Sequence, residues 1–146
     1  MTRRILHPSD FSAASNAAFK KAIEVAKASR AELLIVHVIN PIVPVAGEGY
    51  VSPKMYEDLA ASTRAWARKQ LDRLLAKAKK SGVRVKGLLG EGPAHEEIVR
   101  IAKRKRADLV VMGTHGRSGL AKLFLGSVAG RVVAAAPCPV LTVRGK

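Results

Sequence analysis

LVVMGTHGRSGLAKLFLGSV, residues 109–128, is the stretch of sequence that decides the fold. Its first four residues are apolar and predict a buried strand, which Gly113 and Gly116 follow. After nine intervening residues, Gly126 and Ser127 begin a predicted helix. A glycine-rich turn between a strand and a helix can bind phosphate through backbone N–H groups and the helix N-terminus. The stretch therefore predicts one β-α unit of a doubly wound sheet, with a phosphate site at its turn.

The remainder of the chain alternates between strand and helix patterns. Strands are predicted over residues 4–8, 33–39, 83–89 and 139–143, and helices after residues 12, 52 and 92 and from residue 126. Ser12 and Ser52 are the expected N-caps of the first two helices, and the apolar stripe of the second, which includes Trp66, is expected to pack into the core. This alternation predicts a single α/β domain over residues 1–146, with one doubly wound, five-stranded, mostly parallel sheet and helices on both faces.

Composition narrows the class of protein. The chain has 146 residues, 48% of them hydrophobic, which suits one domain with its own core. No apolar run reaches the length of a membrane span, and the apolar segment after Met1 is too short for a signal peptide. The lone Cys138 cannot form an internal disulfide. We therefore expect a cytoplasmic protein.

Positive charge is in large excess and is unevenly placed. The 26 Lys and Arg outnumber the 11 Asp and Glu, which gives a formal net charge of +15. Basic clusters fall at predicted helix C-termini and strand starts, on the sheet edge opposite the glycine-rich turn: Arg3, Arg4, Lys27, Arg30, Lys77, Lys79, Lys80, Arg84, Lys86 and residues 103–106. One interpretation is a solvated surface that stabilises the helix ends. The other is a face that binds nucleic acid or an acidic partner weakly, without sequence readout.

Ligands of doubly wound sheets bind outside the carboxyl ends of the strands. Three segments should meet at this edge of the predicted sheet: residues 8–10, 38–40 and 113–128. Asp10 could bind ribose hydroxyls, or a divalent cation held indirectly with nucleotide phosphates, or it could cap the first helix. Val38 could present an apolar wall to a base or could be plain core, and Glu91 is expected to be a solvated turn residue.

Other classes of site lack their motifs. The chain has no G-x-x-x-x-G-K-[ST] phosphate loop, no G-x-G-x-x-G after the first strand, and no aspartate ending the third strand as a receiver domain requires. The four histidines show no metal-ligand spacing with one another or with Cys138. His115 could bond a phosphate, but no carboxylate beside it in sequence would make it a general base. No catalytic residue is therefore predicted.

Five segments together resemble the universal stress protein family: residues 8–12 (PSDFS), 37–38 (HV), 111–117 (VMGTHGR), 126–128 (GSV) and 137–141 (PCPVL). The resemblance spans the whole chain. The spacing G-x-x-G-(nine residues)-G-[ST], met by Gly113, Gly116, Gly126 and Ser127, is similar to the branch of the family that binds ATP. The resemblance implies a Rossmann-like sheet of the adenine-nucleotide-binding type, with ATP and Mg or Mn as cofactors.

The resemblance also implies roles for individual residues. Pro8, Ser9, Asp10 and Val38 would line the adenosine side, Met112 and Gly113 would contact the nucleoside, and Gly116, Gly126, Ser127 and Val128 would hold the phosphates. His115 and Arg117 are further candidates for phosphate contact, with a solvated loop position as the alternative for Arg117.

The function implied by the resemblance is regulatory. It suggests a nucleotide-responsive homodimer in the stress response, joined by the last strand, Val140–Val143, across a two-fold axis. Such pairing would also cover an exposed apolar strand edge. Two alternatives remain: a slow ATPase that uses the same pocket, with Asp10 as its one candidate residue, and a structural dimer without nucleotide, which the intact glycines disfavour.

Overall fold

A five-stranded sheet forms the centre of the computed structural model, which describes residues 2–41, 52–115 and 125–145. The strands are β1 (Arg4–Pro8), β2 (Glu32–Ile39), β3 (Val85–Glu91), β4 (Leu109–Gly113) and β5 (Val140–Val143). The helices are α1 (Ser15–Ser29), α2 (Pro53–Lys80), α3 (Ala94–Arg104) and α4 (Ser127–Ala135). Within these ranges, no helix combines the length and the apolar character needed to cross a membrane.

The strand order across the sheet is β3-β2-β1-β4-β5, and every pairing is parallel. The chain builds from β1 out to β3, then returns to the other side of β1 and builds β4 and β5. The reversal beside β1 is the switch point at which doubly wound sheets bind ligands. The predicted fold class is confirmed.

Helices cover both faces of the sheet. Helices α1 and α2 bury Phe19 and Leu71 against Ile5 on one face. Helices α3 and α4 bury Ile101 and Val132 against Leu6 and its neighbours on the other. Adjacent strand residues point to opposite faces, so each central strand must be apolar at nearly every position. This explains the continuous apolar run of β2.

Helix α1 begins later than the sequence predicts. It starts at Ser15 with Ala14 in the N-cap position, so the prediction of Ser12 as the N-cap is wrong. Ser12 Oγ still accepts a hydrogen bond from Ser15 N–H at 3.2 Å, because a turn leads from Ser12 into the helix. Ser52 caps α2 as predicted and accepts from Met55 N–H at 3.2 Å.

The N-terminal half of α2 is more exposed than the sequence predicts. Leu71 is fully buried, but Met55, Leu59 and Trp66 are 53%, 49% and 44% exposed. The prediction that the whole stripe packs into the core is therefore wrong for these three residues. The reason is length: α2 has 28 residues and spans about 42 Å, whereas a strand of eight residues spans about 26 Å. The first turns of α2 extend past the carboxyl edge of the sheet.

Candidate functional site

A cavity of about 480 Å³ lies at the carboxyl edge of the sheet, beside the switch point. This volume is within the range of small-molecule sites, about 300–1,000 Å³. The cavity wall includes Pro8, Ser9, Asp10, Val38, Met112, Gly113, His115, Gly126, Ser127 and Val128. These are all the predicted site residues that the structure describes. The other two, Gly116 and Arg117, lie outside the described residues.

The turn after β1 is held in place by its own hydrogen bonds. His37 Nδ1 donates to Ser9 O at 2.7 Å, which ties the turn to β2. Ser12 N–H donates to Asp10 Oδ1 at 2.9 Å, which closes an Asx turn before α1 begins at Ser15. The alternative that Asp10 caps the helix is therefore wrong. Asp10 is instead fixed on the cavity wall by the turn that it closes.

An aromatic cluster extends the wall from this turn to α2. Phe11 has a left-handed backbone with φ of 64°, a conformation that costs a residue other than glycine about 1–2 kcal/mol. The Phe11 ring stacks on His37 with centroids 4.2 Å apart and meets Trp66 edge-on at 5.6 Å. Of this cluster, His37 and Trp66 line the cavity, together with Thr63, so this side of the cavity has an aromatic wall that Phe11 supports from behind.

The sequence prediction missed Trp66 and Thr63 as cavity residues. Helical spacing places Trp66 on the core stripe of α2 and cannot tell which turns of the helix lie over the sheet. The signal that could have found them is the mismatch between the length of α2 and that of the neighbouring strand.

Helix α4 begins at the cavity wall with an open N-terminus. Its N-cap, Gly126, provides no side-chain hydrogen bond, and its first turn contains no acidic residue. The first helical bond runs from Gly130 N–H to Gly126 O at 2.8 Å. The N–H groups of Ser127, Val128 and Ala129 therefore lack helical partners. Free N–H groups and the helix dipole together attract an anion.

Helix α3 also begins beside the cavity, at Ala94, but its N-terminus is already compensated. Glu96 and Glu97 occupy its first turn, where their charge satisfies the helix dipole. Of these two helix ends, only that of α4 favours an anionic ligand.

Gly126 is required by a close approach of two backbone segments. A Cβ at this position would lie 2.8 Å from Thr114 O, and Gly126 N–H donates to the same oxygen at 2.6 Å. A Cβ at Gly113 would come no closer than 3.5 Å to any atom, an ordinary contact. Gly126 thus joins the two ends of the glycine-rich segment, and a bulky residue there would disturb the fold with or without a ligand.

His115 brings an unsatisfied nitrogen to the cavity wall. Its Nδ1 lies 3.1 Å from Thr114 Oγ1, whereas its buried Nε2 has no hydrogen-bond partner among the described residues. A buried polar atom without a partner is costly. A ligand oxygen that bonds to Nε2 would therefore be stabilised at this position.

His7, one residue before the cavity turn, is a neutral core group. It is fully buried, and its Nδ1 donates to Val111 O at 2.9 Å. Burial lowers its pKa from 6.5 to about 4, although the bond to Val111 and the charge of Asp10 act in the opposite direction. At neutral pH His7 therefore carries no charge.

Carboxylates are scarce at the site. Asp10 is the one acid among the described residues that line the cavity. Glu91 ends β3 and pairs with Arg64 at 3.5 Å, so it is more than the solvated turn residue that the sequence predicts. The described ranges contain no group of three or more His, Cys, Asp or Glu that could hold a metal ion. A metal ion beside Asp10 would therefore have to take its other ligands from outside the described side chains.

Comparison with known proteins identifies the family. Residues 1–144 match the universal stress protein family. Universal stress protein MJ0531 of Methanocaldococcus jannaschii is 37% identical over 144 residues, which cover 97% of this chain and 82% of that protein. The solved structure of MJ0577 from the same archaeon has a TM-score of 0.86 and 29% identity, with 100% of this chain and 98% of that chain covered. The chain therefore belongs to the universal stress protein family.

Nucleotide complexes are found among the similar solved structures. A universal stress protein solved in complex with cAMP has a TM-score of 0.74 and 25% identity to this chain, and the match covers 99% of this chain and 98% of that one.

Proposed function

We propose that the protein binds ATP, with Mg²⁺ or Mn²⁺, and acts as a nucleotide-responsive regulatory homodimer in the stress response. The observation that carries the proposal is the open, acid-free N-terminus of α4, which lines the same cavity as the aromatic wall. Phosphate would occupy one side of the cavity and a base the other. The cAMP complex of a family member supports an adenine nucleotide as the ligand.

Each part of the nucleotide has residues suited to it. The N–H groups at the start of α4 and the Ser127 hydroxyl would bind phosphates, with His115 Nε2 as a further donor. Val38 and Trp66 would enclose the base between aliphatic and aromatic surfaces. Asp10 would accept hydrogen bonds from ribose hydroxyls or contact a cation bound to the phosphates. We propose Gly116 and Arg117 as further phosphate contacts.

A sharp test places a carboxylate where the phosphates would bind. Val128 lies in the first turn of α4, lines the cavity and is 37% exposed, so glutamate can be accommodated there. We expect Val128→Glu to stabilise α4 by about 0.3–1 kcal/mol through the helix dipole. The same carboxylate should repel the phosphates and weaken ATP binding by at least about 100-fold, measured by calorimetry.

Val133→Glu is the matched control, because Val133 lies near the other end of α4 and is 47% exposed. This variant should bind ATP as the wild type does. Equal ATP affinity of the wild type and Val128→Glu would refute the phosphate site at α4.

The identity of the ligand needs a separate measurement. Mass spectrometry of the small molecules released when the purified protein is denatured should find an adenine nucleotide. Trp66 is the single tryptophan of the chain and lines the cavity, so its fluorescence reports occupancy directly. A guanine nucleotide that binds as tightly as ATP would contradict the assignment of an adenine site.

The alternative is slow ATP hydrolysis in the same cavity. Asp10 is the one described acid that could serve it, and one of its oxygens already accepts from Ser12 N–H. We favour the regulatory role for this reason. Phosphate release that Asp10→Asn abolishes while ATP affinity is retained would favour the enzyme instead.

A further inference from the structure

The amino edge of the sheet, opposite the cavity, carries a concentrated positive charge. The C-termini of α1, α2 and α3 and the first residues of β1 and β3 all lie at this edge. We name it the basic edge and define it by these residues: Arg3, Lys27, Arg30, Lys77, Lys79, Lys80, Arg84, Lys103, Arg104, Lys105 and Arg106. All of them are exposed except Lys105, which is half-buried.

Hydrogen bonds join the basic edge into one continuous strip. Arg84 Nη2 donates to Arg30 O at 3.2 Å, which links the start of β3 to the loop before β2. Glu32 N–H donates to Arg3 O at 2.9 Å, which links β2 to β1. Asp108 N–H donates to Arg4 O at 2.8 Å and so links β1 to the loop before β4. Because adjacent strands lie about 4.8 Å apart, these four neighbouring positions span about 15 Å.

The acids on this edge leave most of its cations unpaired. Glu32 pairs with Arg4 at 3.3 Å and with Lys86 at 3.8 Å. Asp108 Oδ2 accepts from the backbone N–H groups of Arg3 and Arg4, which lowers the pKa of Asp108. Within the described part of the chain, no side chain of the basic edge forms a close ion pair. The charges of Arg3 and Arg104 act only at longer range, where they help to lower the pKa of Asp108 and of Glu97.

Two arginines of the basic edge occupy backbone conformations that favour glycine. Arg30 and Arg106 each have φ of 54°, in the left-handed region, at the ends of the turns that follow α1 and α3. Glycine is the usual residue at such helix ends. Both arginines can therefore be replaced by glycine without straining the backbone.

The chemistry of the basic edge selects one class of partner. The exposed large apolar side chains of the described chain lie elsewhere, on the N-terminal half of α2, near and along α4, and on β5. The edge thus lacks both the apolar anchors of a membrane-surface helix and the apolar centre of a protein interface. It also lacks aromatic residues on which single-stranded bases could stack. Unpaired cations along a rigid strip fit the regularly spaced phosphates of a nucleic-acid duplex.

We propose that the basic edge is a binding site for double-stranded nucleic acid, contacted through its phosphates without sequence readout. The site is separate from the nucleotide cavity, because the two lie at opposite edges of the sheet. The proposal therefore stands or fails independently of ATP binding.

Salt dependence of duplex binding is the first test. A labelled mixed-sequence DNA duplex of about 20 base pairs is titrated with the protein by fluorescence anisotropy at several NaCl concentrations. If about five cations contact phosphates, affinity should fall about 500-fold between about 50 and 200 mM NaCl. No binding at low salt would overturn the proposal.

Arg30→Gly/Arg106→Gly tests the basic edge itself. Glycine suits the left-handed backbone at both positions, and the bond from Arg84 uses the backbone oxygen of Arg30, so the strip stays intact. We expect the slope of log affinity against log salt to fall in magnitude by about 1.8. The matched control, Lys20→Ala/Lys69→Ala, removes the same charge from exposed mid-helix positions and should keep the wild-type slope. Equal losses in both variants would mean that total charge, not this edge, binds DNA.

Competitors test the class of partner and the independence of the two sites. Poly-glutamate at the same charge concentration should displace the duplex poorly; displacement as effective as that by unlabelled DNA would overturn the assignment to nucleic acid.

Saturating Mg-ATP should leave duplex affinity unchanged, and Val128→Glu should bind the duplex as the wild type does. Displacement of the duplex by ATP would place both ligands at one site and contradict the proposal.

Discussion

At the scale of single residues, His7 makes the folded state sensitive to acid. Burial lowers the pKa of His7 from 6.5 to about 4. In the unfolded chain His7 is therefore protonated below pH 6.5, whereas in the folded chain it stays neutral down to about pH 4. Stability from this group is therefore present above pH 6.5 and is lost as the pH falls toward 4. The loss amounts to about 3 kcal/mol, at 1.36 kcal/mol for each pKa unit. Urea unfolding at a series of pH values measures it.

His7→Asn isolates this contribution. The asparagine amide can donate to Val111 O as His7 Nδ1 does, but it does not titrate. The variant should be less stable at pH 7 yet lose less stability between pH 6.5 and pH 4. An identical pH dependence for His7→Asn and the wild type would refute the role of His7.

The sequence could predict which strand-end and turn residues lie at the cavity, but it could predict neither Trp66 and Thr63 nor how the turn residues are held. The sequence places Asp10 after a strand, and parallel strand ends meet at one edge, so its position could be predicted. The left-handed backbone of Phe11 could not, because nothing in its identity favours that conformation. In the folded chain it is accompanied by a hydrogen bond from Phe11 N–H to Ser9 Oγ and by the stacking of Phe11 on His37, a contact between residues far apart in the chain.

At the scale of elements, strand and helix order follows from periodicity, whereas helix ends depend on local competition. Serine is a favoured N-cap residue, yet α1 starts three residues after Ser12. The reason is that the side chains of Asp10 and Ser12 accept hydrogen bonds from backbone N–H groups of the turns that precede the helix. The exposed start of α2 was hidden for another reason. The apolar spacing of α2 continues past the edge of the sheet. Trp66 therefore lies on the cavity wall and not in the core.

Strand β5 is the element that we propose joins two copies of the chain. It is an outer strand that pairs with β4 on one side, and its Leu141 is 38% exposed. We expect Leu141→Lys to convert the homodimer to a monomer, because it places like charges opposite each other across a two-fold axis and removes an apolar contact. Size-exclusion chromatography with light scattering measures the mass in solution.

Leu59→Lys is the control for this variant. Leu59 is a leucine of similar exposure, 49%, on α2 and away from the outer edge of β5. The variant should stay dimeric. A wild-type chain that is monomeric at high concentration, or a Leu141→Lys variant with the dimer mass, would rule out pairing through β5.

At the scale of the whole molecule, charge and topology divide the protein into two ends. A parallel sheet collects helix C-termini at one edge and helix N-termini at the other, so cations and an anion-binding cavity are naturally kept apart. The basic edge would therefore contribute little to the phosphate binding that we propose for the cavity. The cations of the basic edge repel one another, and in a chain whose net charge is +15 this repulsion lowers the stability of the folded state.

This repulsion predicts that salt stabilises the folded protein. Surface ion pairs contribute only about 0–1 kcal/mol each, and the chain has far more cations than acids to pair them. Raising NaCl from about 10 to about 300 mM shortens the screening length and should raise the free energy of unfolding by about 1 kcal/mol. By calorimetry, this corresponds to an increase in Tm of about 3 °C.

Lys79→Gln/Lys103→Gln should gain less stability than the wild type on addition of salt, because it lowers the charge of the basic edge from both faces of the sheet. Lys79→Arg/Lys103→Arg keeps the charge and should respond as the wild type does. A wild-type Tm that falls as NaCl is added would mean that favourable pairs outweigh the repulsion. In that case acids of the protein would already compensate the cations of the basic edge. The edge would then be an ordinary stabilising surface, without excess charge for a duplex to neutralise.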